Sequence, residues 1–407
     1  MKYSTAIRPW ANRRLEKMGK VDIVVGIPTN NNHETIENII DNVSEAVQMH
    51  YRGMTALIIV ADGGSTDDTR DVANAKTVNP YIEKMVTIYR GERGKSSAYK
   101  MIFESANFLN SRVCVIVDPA SLSITTDWIK HLIDPVLIAS YHYVTPLYSH
   151  NDNDVGLSDS IAFYLTSALM SKQVKTPTGG DYALSGQLLS FIVENNIWDN
   201  QTSSYGIDVW ILLKAITEKF KICQSYLGLK EVLSNDRYVF FEKNFVETVT
   251  TVFEIAVKHK EALLSFQESE PTEIYNSPVE YHGEIKQSIC YKECIILFKQ
   301  GYAHFSPIWE NILDKENYEE VKKAFQLNDE NFIFEPRLLA KIIYSFARQY
   351  SSMDRYKNKV IQCLVPIYYA YLASLIKRTE RCNTKQLEEE IRKDAEPFQE
   401  LRLTMFA

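Results

Sequence analysis

The chain has 407 residues, enough for two domains and a sizeable core. Its formal net charge of −7, without a basic stripe, argues against broad nucleic-acid binding. No apolar run approaches the roughly 18 residues of a membrane span, the first residues lack a signal-peptide core, and the six cysteines show neither CxxC pairs nor a disulfide-framework spacing, so a cytoplasmic protein is expected.

The first 20 residues are polar and basic and read as a lead-in helix. Residues 21–28 (V-D-I-V-V-G-I-P) form a strand that Pro28 ends, followed by an Asn-rich loop, T-N-N-N-H-E-T. Over residues 34–50, Ile36, Ile39, Ile40, Val43 and Val47 fall on one helical stripe. Residues 55–61 are a second strand running into D-G-G-S-T-D-D-T, where Ser65 or Thr66 is placed to cap the next helix. A short strand at 85–89 leads through G-E-R-G-K-S-S-A into a helix at 97–109.

The run 113–117, V-C-V-I-V, carries no charge and is rich in β-branched residues, the composition of a strand buried on both faces. It ends on Asp118, and a carboxylate at the C-terminal end of such a strand lies at the crevice where open α/β sheets bind ligands. Next come a helix at 128–138, a strand at 141–146, a polar loop at 147–155 and a helix at 157–170. T-P-T-G-G-D at 176–181 is a tight loop, with a helix after Ser185, another at 205–218 opening Y-G-I-D-V-W, and a last strand at 220–227. From about residue 236 only helical patterns remain, at 241–268, 283–300, 303–313, 316–326, 335–350, 355–379 and 384–402. The expected organisation is an α/β domain over 1–235 and a helical domain over 236–407.

Several residues carry two readings each. Asp62 is either an acceptor for the base NH of a nucleotide or the anchor of a strand-to-helix turn; Gly63 and Gly64 suit both. G-E-R-G-K-S-S lacks the spacing of a phosphate-binding P-loop, but Arg93 and Lys95 bring cations to a helix N-terminus, where a pyrophosphate is held or where they are solvated surface charges. Gly179-Gly180-Asp181 before a helix exposes amides to an anionic acceptor, or is simply a turn. Asp208 suits the first turn of a helix whether or not it has another role. Cys290 and Cys294 share a helical face, as metal ligands or as buried thiols.

Taken in order, I-P-T-N-N-N-H-E-T, A-D-G-G-S-T-D-D-T, G-K-S-S-A, V-I-V-D-P-A-S-L-S-I-T, P-T-G-G-D-Y-A-L-S and Y-G-I-D-V-W resemble the glucosylglycerate synthase and glucosyl-3-phosphoglycerate synthase group. These are retaining glycosyltransferases of the GT-A fold, a Rossmann-like mixed sheet, and the similarity continues into F-S-P-I-W-E-N-I-L and E-E-E-I-R-K-D-A-E-P-F-Q-E-L of the helical part. The resemblance implies a donor set of Pro28, Thr29, Asn31, Asp62, Gly94, Lys95 and Asp118, with Thr29, Asn31 and Asp62 at the base. It implies an acceptor set of Thr178, Gly179, Gly180, Asp181 and Tyr205, with Asp208 facing the reacting sugar and Lys95 at the diphosphate.

It also implies Mg²⁺ or Mn²⁺, and here the chain departs from the group. Asp118 matches the first acid of a D-x-D motif, but the second position is Ala120. A histidine expected in a segment like L-G-x-K-x-H is Val232 in L-G-L-K-E-V, and Glu231 and Asp236 replace it only with a shifted register. Residues 147–154, L-Y-S-H-N-D-N-D, stand where relatives carry a more basic loop. One carboxylate is a poor site for ions that prefer several oxygen ligands, so either Arg93, Lys95, His150 or another cation supplies the missing charge, or the chemistry is slow or lost.

Two functions follow. The first is transfer of a hexose, glucose above others, from UDP- or GDP-sugar to a small hydroxy acid such as glycerate, with retention. The second is a non-catalytic homologue that keeps the nucleotide-sugar pocket as a binding or regulatory module. A nucleotidyltransferase is disfavoured because P-T-N-N-N replaces its glycine-rich first loop. A homodimer is the default assembly.

Overall fold

The computed structural model describes residues 4–149, 158–170, 172–195, 206–233, 237–261, 269–278, 290–353 and 357–406. The chain divides into two compact units, one of residues 1–149, 178–235 and 272–281, the other of 150–177, 236–271 and 282–407. It therefore crosses between units at more places than the single expected division at 235/236.

The first unit is built from strands β1 (Ile23–Thr29), β2 (Ala56–Asp62), β3 (Ile82–Ile88), β4 (Val113–Ile116) and β5 (Tyr143–Ser149). After a two-residue β6 (Lys172–Gln173), which belongs to the second unit, come β7 (Tyr182–Ser185) and β8 (Ile222–Leu229). The sheet order is β3-β2-β1-β4-β7-β5-β8. Neighbouring pairs are parallel except β4–β7 and β5–β7, so β7 alone runs against the rest. This is the mixed Rossmann-like sheet that the sequence predicts, and it has a direct consequence. The C-terminal ends of the other six strands and the N-terminal end of β7 lie along one edge.

Helices α1 (Pro9–Met18), α2 (Ile36–His50), α3 (Thr69–Ala75), α4 (Lys95–Phe108) and α5 (Thr126–Ala139) alternate with the strands. The predicted stripe on α2 is fully buried: Ile36, Ile39, Ile40, Val43 and Val47 pack with Ile23, Val25, Ile58, Val60, Val113 and Val115. Each such side chain contributes about 1.5–3 kcal/mol of transfer free energy. Pro28 does not end β1, which continues to Thr29. A proline is tolerated in this central strand because pairing with β4 stops at Gly26↔Ile116, so no ladder bond is lost there.

Other departures are local. Neither Ser65 nor Thr66 caps α3, whose N-cap is Asp68. The segment 157–170 begins as a π-helical turn, Ser158–Ala162, before α6 (Phe163–Leu169). β7 is absent from the sequence reading: its four residues, Y-A-L-S, are too short a run to show alternation. The helix expected after Ser185 is α7 (Gly186–Glu194), and Ser185 caps it by accepting a hydrogen bond from the Leu188 amide at 3.2 Å. Then follows α8 (Gly206–Thr217).

The second unit is helical, with Arg237–Lys258, Tyr291–Ile312, Lys315–Gln326, Pro336–Ser352, Val365–Thr379 and Thr384–Leu401 as its longer elements, and β9 (Glu270–Pro271) pairing with β6. Residues 291–312 are one helix rather than the expected two. Gly301, between the two expected ranges, admits Pro366, since a Cβ there would lie 2.2 Å from that ring. The stretch Lys359–Thr379 is long and apolar enough by composition to cross a membrane, contrary to the reading that no run comes close, and 83% of it is buried inside the protein. Cys294 is buried but Cys290 is exposed, which corrects the pairing of both as buried thiols.

Candidate functional site

The carboxyl edge of the sheet gathers two clusters of polar side chains. The first lies beyond β1 and β2, whose register sets Thr29 beside Asp62. Asp62 is fully buried. One of its oxygens accepts from the amides of Gly64 and Ser65, both at 2.8 Å, and the other accepts from the hydroxyls of Ser65 at 2.5 Å and Thr29 at 3.2 Å. A carboxylate has about four acceptor positions, and the turn occupies them. Of the two readings of Asp62, the turn anchor is the one the structure has, and a base NH finds no open acceptor on it.

Asn31 adopts a left-handed conformation (φ 59°), and its side-chain oxygen accepts from the Thr66 amide at 2.8 Å. Its own amide donates to Ser65 Oγ at 2.9 Å. Arg93 donates from Nε to the Gly63 carbonyl at 2.9 Å and from its terminal nitrogen to the Gly64 carbonyl. It is therefore a brace across the loop rather than an uncommitted phosphate-binding cation. Gly94 N-caps α4 and donates its amide to Tyr89 Oη at 2.9 Å.

The second cluster follows from the direction of β7. Pairing of Ile116 with Tyr182 puts Asp181, just before β7, against Asp118, just after β4. The Asp118 amide donates to Asp181 Oδ1 at 2.8 Å, and Asp118 Oδ1 accepts from the Ala120 amide at 3.0 Å. Strand β8 delivers Lys230 to the same point. Its Nζ lies 2.8 Å from Asp118 Oδ2, 2.9 Å from Asp181 Oδ2 and 2.5 Å from the Gly179 carbonyl. Tyr148, near the end of β5, places its hydroxyl 2.5 Å from Asp181 Oδ2 and 3.4 Å from Lys230 Nζ, and Lys230 stands 5.1 Å from its ring centre.

Burial raises the Asp118 carboxyl, but the Lys230 ammonium, then Lys95, then the bonds from Lys230 and the Ala120 amide overcome it and hold the group at about 2. Burial lowers Lys230, and the charges of Asp118 and Asp181 raise it to a net value above that of an ordinary lysine. Gly180 is required here. Its φ is +79°, and a Cβ would sit 3.2 Å from Asp118 Oδ2.

The sequence therefore misplaces G-G-D in one respect. It opens a strand, not a helix, and Asp181 is a buried partner of Lys230, Tyr148 and the Asp118 amide. Thr178, Gly179 and Gly180 line the same turn, whereas Tyr205 lies outside the described residues. Lys230 is the residue that sequence reasoning missed. The segment L-G-L-K-E-V was read for its absent histidine, and the lysine two positions earlier was visible in it.

A third group sits beside the second. Lys95 is the first residue of α4, and its Nζ lies 3.1 Å from Asp208 Oδ2 in the first turn of α8. Asp208 is 2% exposed, and its other oxygen faces the buried Tyr99 phenol, short of a well-formed hydrogen bond. Tyr99, Tyr143 and Tyr182 surround it. Burial first, with the Asp208 charge adding to it, pushes all three phenols well above their usual value. The Lys95 charge also depresses Asp118, less than that of Lys230 does.

The metal site that the resemblance implies does not fit these residues. Ala120 and Val232 are brought together, through a Ser121↔Val232 bridge and a 2.9 Å bond from the Leu233 amide to the Ala120 carbonyl. Neither side chain has a ligand atom, and Lys230 occupies Asp118. Glu231 is exposed, and Asp236 and His150 lie outside the described residues. Among the described residues no group of three His, Cys, Asp or Glu is placed to hold a metal ion.

No protein-family profile matches the chain, and no curated protein matches it. Solved structures do. Glucosyl-3-phosphoglycerate synthase from Mycobacterium tuberculosis in complex with Mn²⁺, UDP and glucosyl-3-phosphoglycerate is 22% identical over 60% of this chain and 84% of its own, with a TM-score of 0.42. The same enzyme with phosphoglyceric acid is 22% identical over 61% and 85%, with a TM-score of 0.44. A further mycobacterial protein is 20% identical over 61% and 79%, with a TM-score of 0.43.

Proposed function

We propose that this chain is a glycosyltransferase that moves a hexose from a UDP- or GDP-sugar to a small hydroxy-acid acceptor of the glycerate kind, with retention and without a divalent ion. One observation carries the reading. Asp208 is a buried carboxylate with one oxygen on the Lys95 ammonium, and Lys95 in turn depresses Asp118 at the carboxyl edge of the sheet. A carboxylate and an ammonium paired at a helix N-terminus offer one group to a sugar hydroxyl and the other to a diphosphate.

In this reading Pro28, Thr29, Asn31 and Asp62 shape the loop against which the base rests. Gly94 and Lys95, at the N-terminus of α4, face the diphosphate, where the helix end and an ammonium both favour an anion. Asp118 meets the ribose. The turn Thr178–Gly179–Gly180–Asp181 borders the acceptor. In the transfer, the bond from the anomeric carbon to the diphosphate oxygen breaks. A bond from the acceptor oxygen forms on the same face, and the acceptor's hydroxyl proton passes to the departing phosphate, so no separate general base is assigned.

A second reading, a nucleotide-sugar-binding protein without transfer, is favoured by the absence of ligand atoms at both Ala120 and Val232. Calorimetry with UDP-glucose and GDP-glucose, followed by chromatographic detection of released nucleotide in the presence of glycerate, separates the two. Binding with acceptor-dependent release supports the transferase. Binding without release supports the second reading, and no binding of either donor overturns both.

A further inference from the structure

Three oxygens converge on one point: Asp118 Oδ2 at 2.8 Å, Asp181 Oδ2 at 2.9 Å and the Gly179 carbonyl at 2.5 Å, with the Tyr148 hydroxyl behind them at 3.4 Å. Two carboxylates and a carbonyl around one centre form the kind of oxygen set that a hard divalent ion takes. The centre here is the Lys230 ammonium. We propose that Lys230 is a resident cation that takes the place of a divalent ion in this crevice, so that a diphosphate group is bound there without metal.

The surrounding chain supports this assignment. Residues after Asp118 and residues after β8 are joined by Leu122 N to Glu231 O at 2.8 Å and Leu233 N to Ala120 O at 2.9 Å. That pairing fixes Lys230 next to Asp118. An incoming ion would have to expel an ammonium held by two carboxylates, and Ala120 and Val232 would give it nothing in return. The three N–H donors of a lysine are matched by the three near oxygens. Lys230 thus acts on an arriving phosphate as a fixed charge, and Lys95 is the second ammonium beside Asp118. A single charge stands where a divalent ion would bring two, but it cannot dissociate and owes nothing to metal supply.

The ligand in this proposal rests on the nucleotide-sugar reading, whereas the occupation of the cage does not, and the experiment separates them. Mn²⁺ is titrated into the whole protein without nucleotide, with the electron paramagnetic resonance signal of free Mn²⁺ as readout. UDP is then titrated calorimetrically in EDTA and in Mn²⁺. The wild-type protein is expected to leave about 1 mM Mn²⁺ free and to bind UDP equally, within about twofold, in both buffers. Lys230→Ala opens the oxygen set and is expected to bind Mn²⁺. It should lose roughly tenfold or more of UDP affinity in EDTA and recover it with Mn²⁺. Lys230→Met, which keeps the apolar stem, serves if the alanine variant does not fold.

Mn²⁺ binding by the wild-type protein that Asp118→Asn abolishes would overturn the proposal, as would UDP binding that requires Mn²⁺. If UDP fails to bind under every condition, the nucleotide reading falls. The Mn²⁺ arm still decides for or against Lys230.

Discussion

Asp67 and Asp118 lie in different loops at the same edge of the sheet, and both carboxyls are held at about 2. Burial raises each of them, and what overcomes it differs. At Asp67 the opposing groups are the hydroxyl and amide of Thr69 and then His33, all within one or two loops: Thr69 Oγ1 is 2.5 Å away and His33 Nδ1 2.9 Å. At Asp118 they are two ammonium groups brought from 23 residues before it and 112 residues after it, as the numbers of Lys95, Asp118 and Lys230 give. One half of the crevice is a loop folded on its own polar atoms. The other is an ion cluster that exists only because three strands end together. The comparison teaches that a depressed carboxyl is not itself a sign of a ligand site. A local network of donors does the same as a cation.

The hardest test of this contrast is Lys230→Met. It leaves the buried Asp181 carboxylate facing the half-buried Asp118 and is expected to cost about 2–4 kcal/mol in urea unfolding. Adding Asp181→Asn should return part of the loss. A cost near that of an exposed pair would show that the cluster is not the buried unit described here.

Acid titration comes next. A carboxyl held below its usual value stabilises the folded state fully above the unfolded value and loses that contribution as pH falls through the folded one. For Asp118 the window runs from 3.8 down to about 2, and the contribution is about 2 kcal/mol. Carbon-detected NMR of the side-chain carboxyls should show Asp118 moving upward in Lys230→Met while Asp67 stays where it is. Movement of both would erase the distinction between the halves.

Asp62→Asn probes the self-satisfied half. One of its two oxygens becomes a donor facing Ser65 and Thr29 hydroxyls, and about 1–3 kcal/mol of stability should be lost, with the Asp118 titration unchanged. The smallest effect is expected from Gly180→Ala, where the left-handed backbone costs about 1–2 kcal/mol. Its new Cβ presses on Asp118, so calorimetric melting should drop modestly and the Asp118 carboxyl, not Asp67, should shift in NMR.

Most of the first unit is legible in the sequence because its signals are local. The α2 stripe, the strand ending at Asp118 and the Asp62 turn each depend on residues within a few positions of one another. Lys95 and Asp208 were both singled out, but their ion pair spans 113 positions and could not be read. Pro28 suggests the end of a strand and is not one, since a proline is harmful only where its amide is needed. β7 was missed because four residues carry too little pattern, and with it went the reason that Asp181 meets Asp118.

By itself, the sequence determined most of the element types, the two kinds of architecture along the chain, and the absence of ligand atoms at Ala120 and Val232. Hydrophobic periodicity and side-chain chemistry are properties of the chain. The tertiary structure alone decided what meets Asp118. The reversal of β7 and the parallel run of β8 bring Asp181 and Lys230 to Asp118. Charges so far apart in sequence interact only where the sheet sets them within a few ångströms of one another.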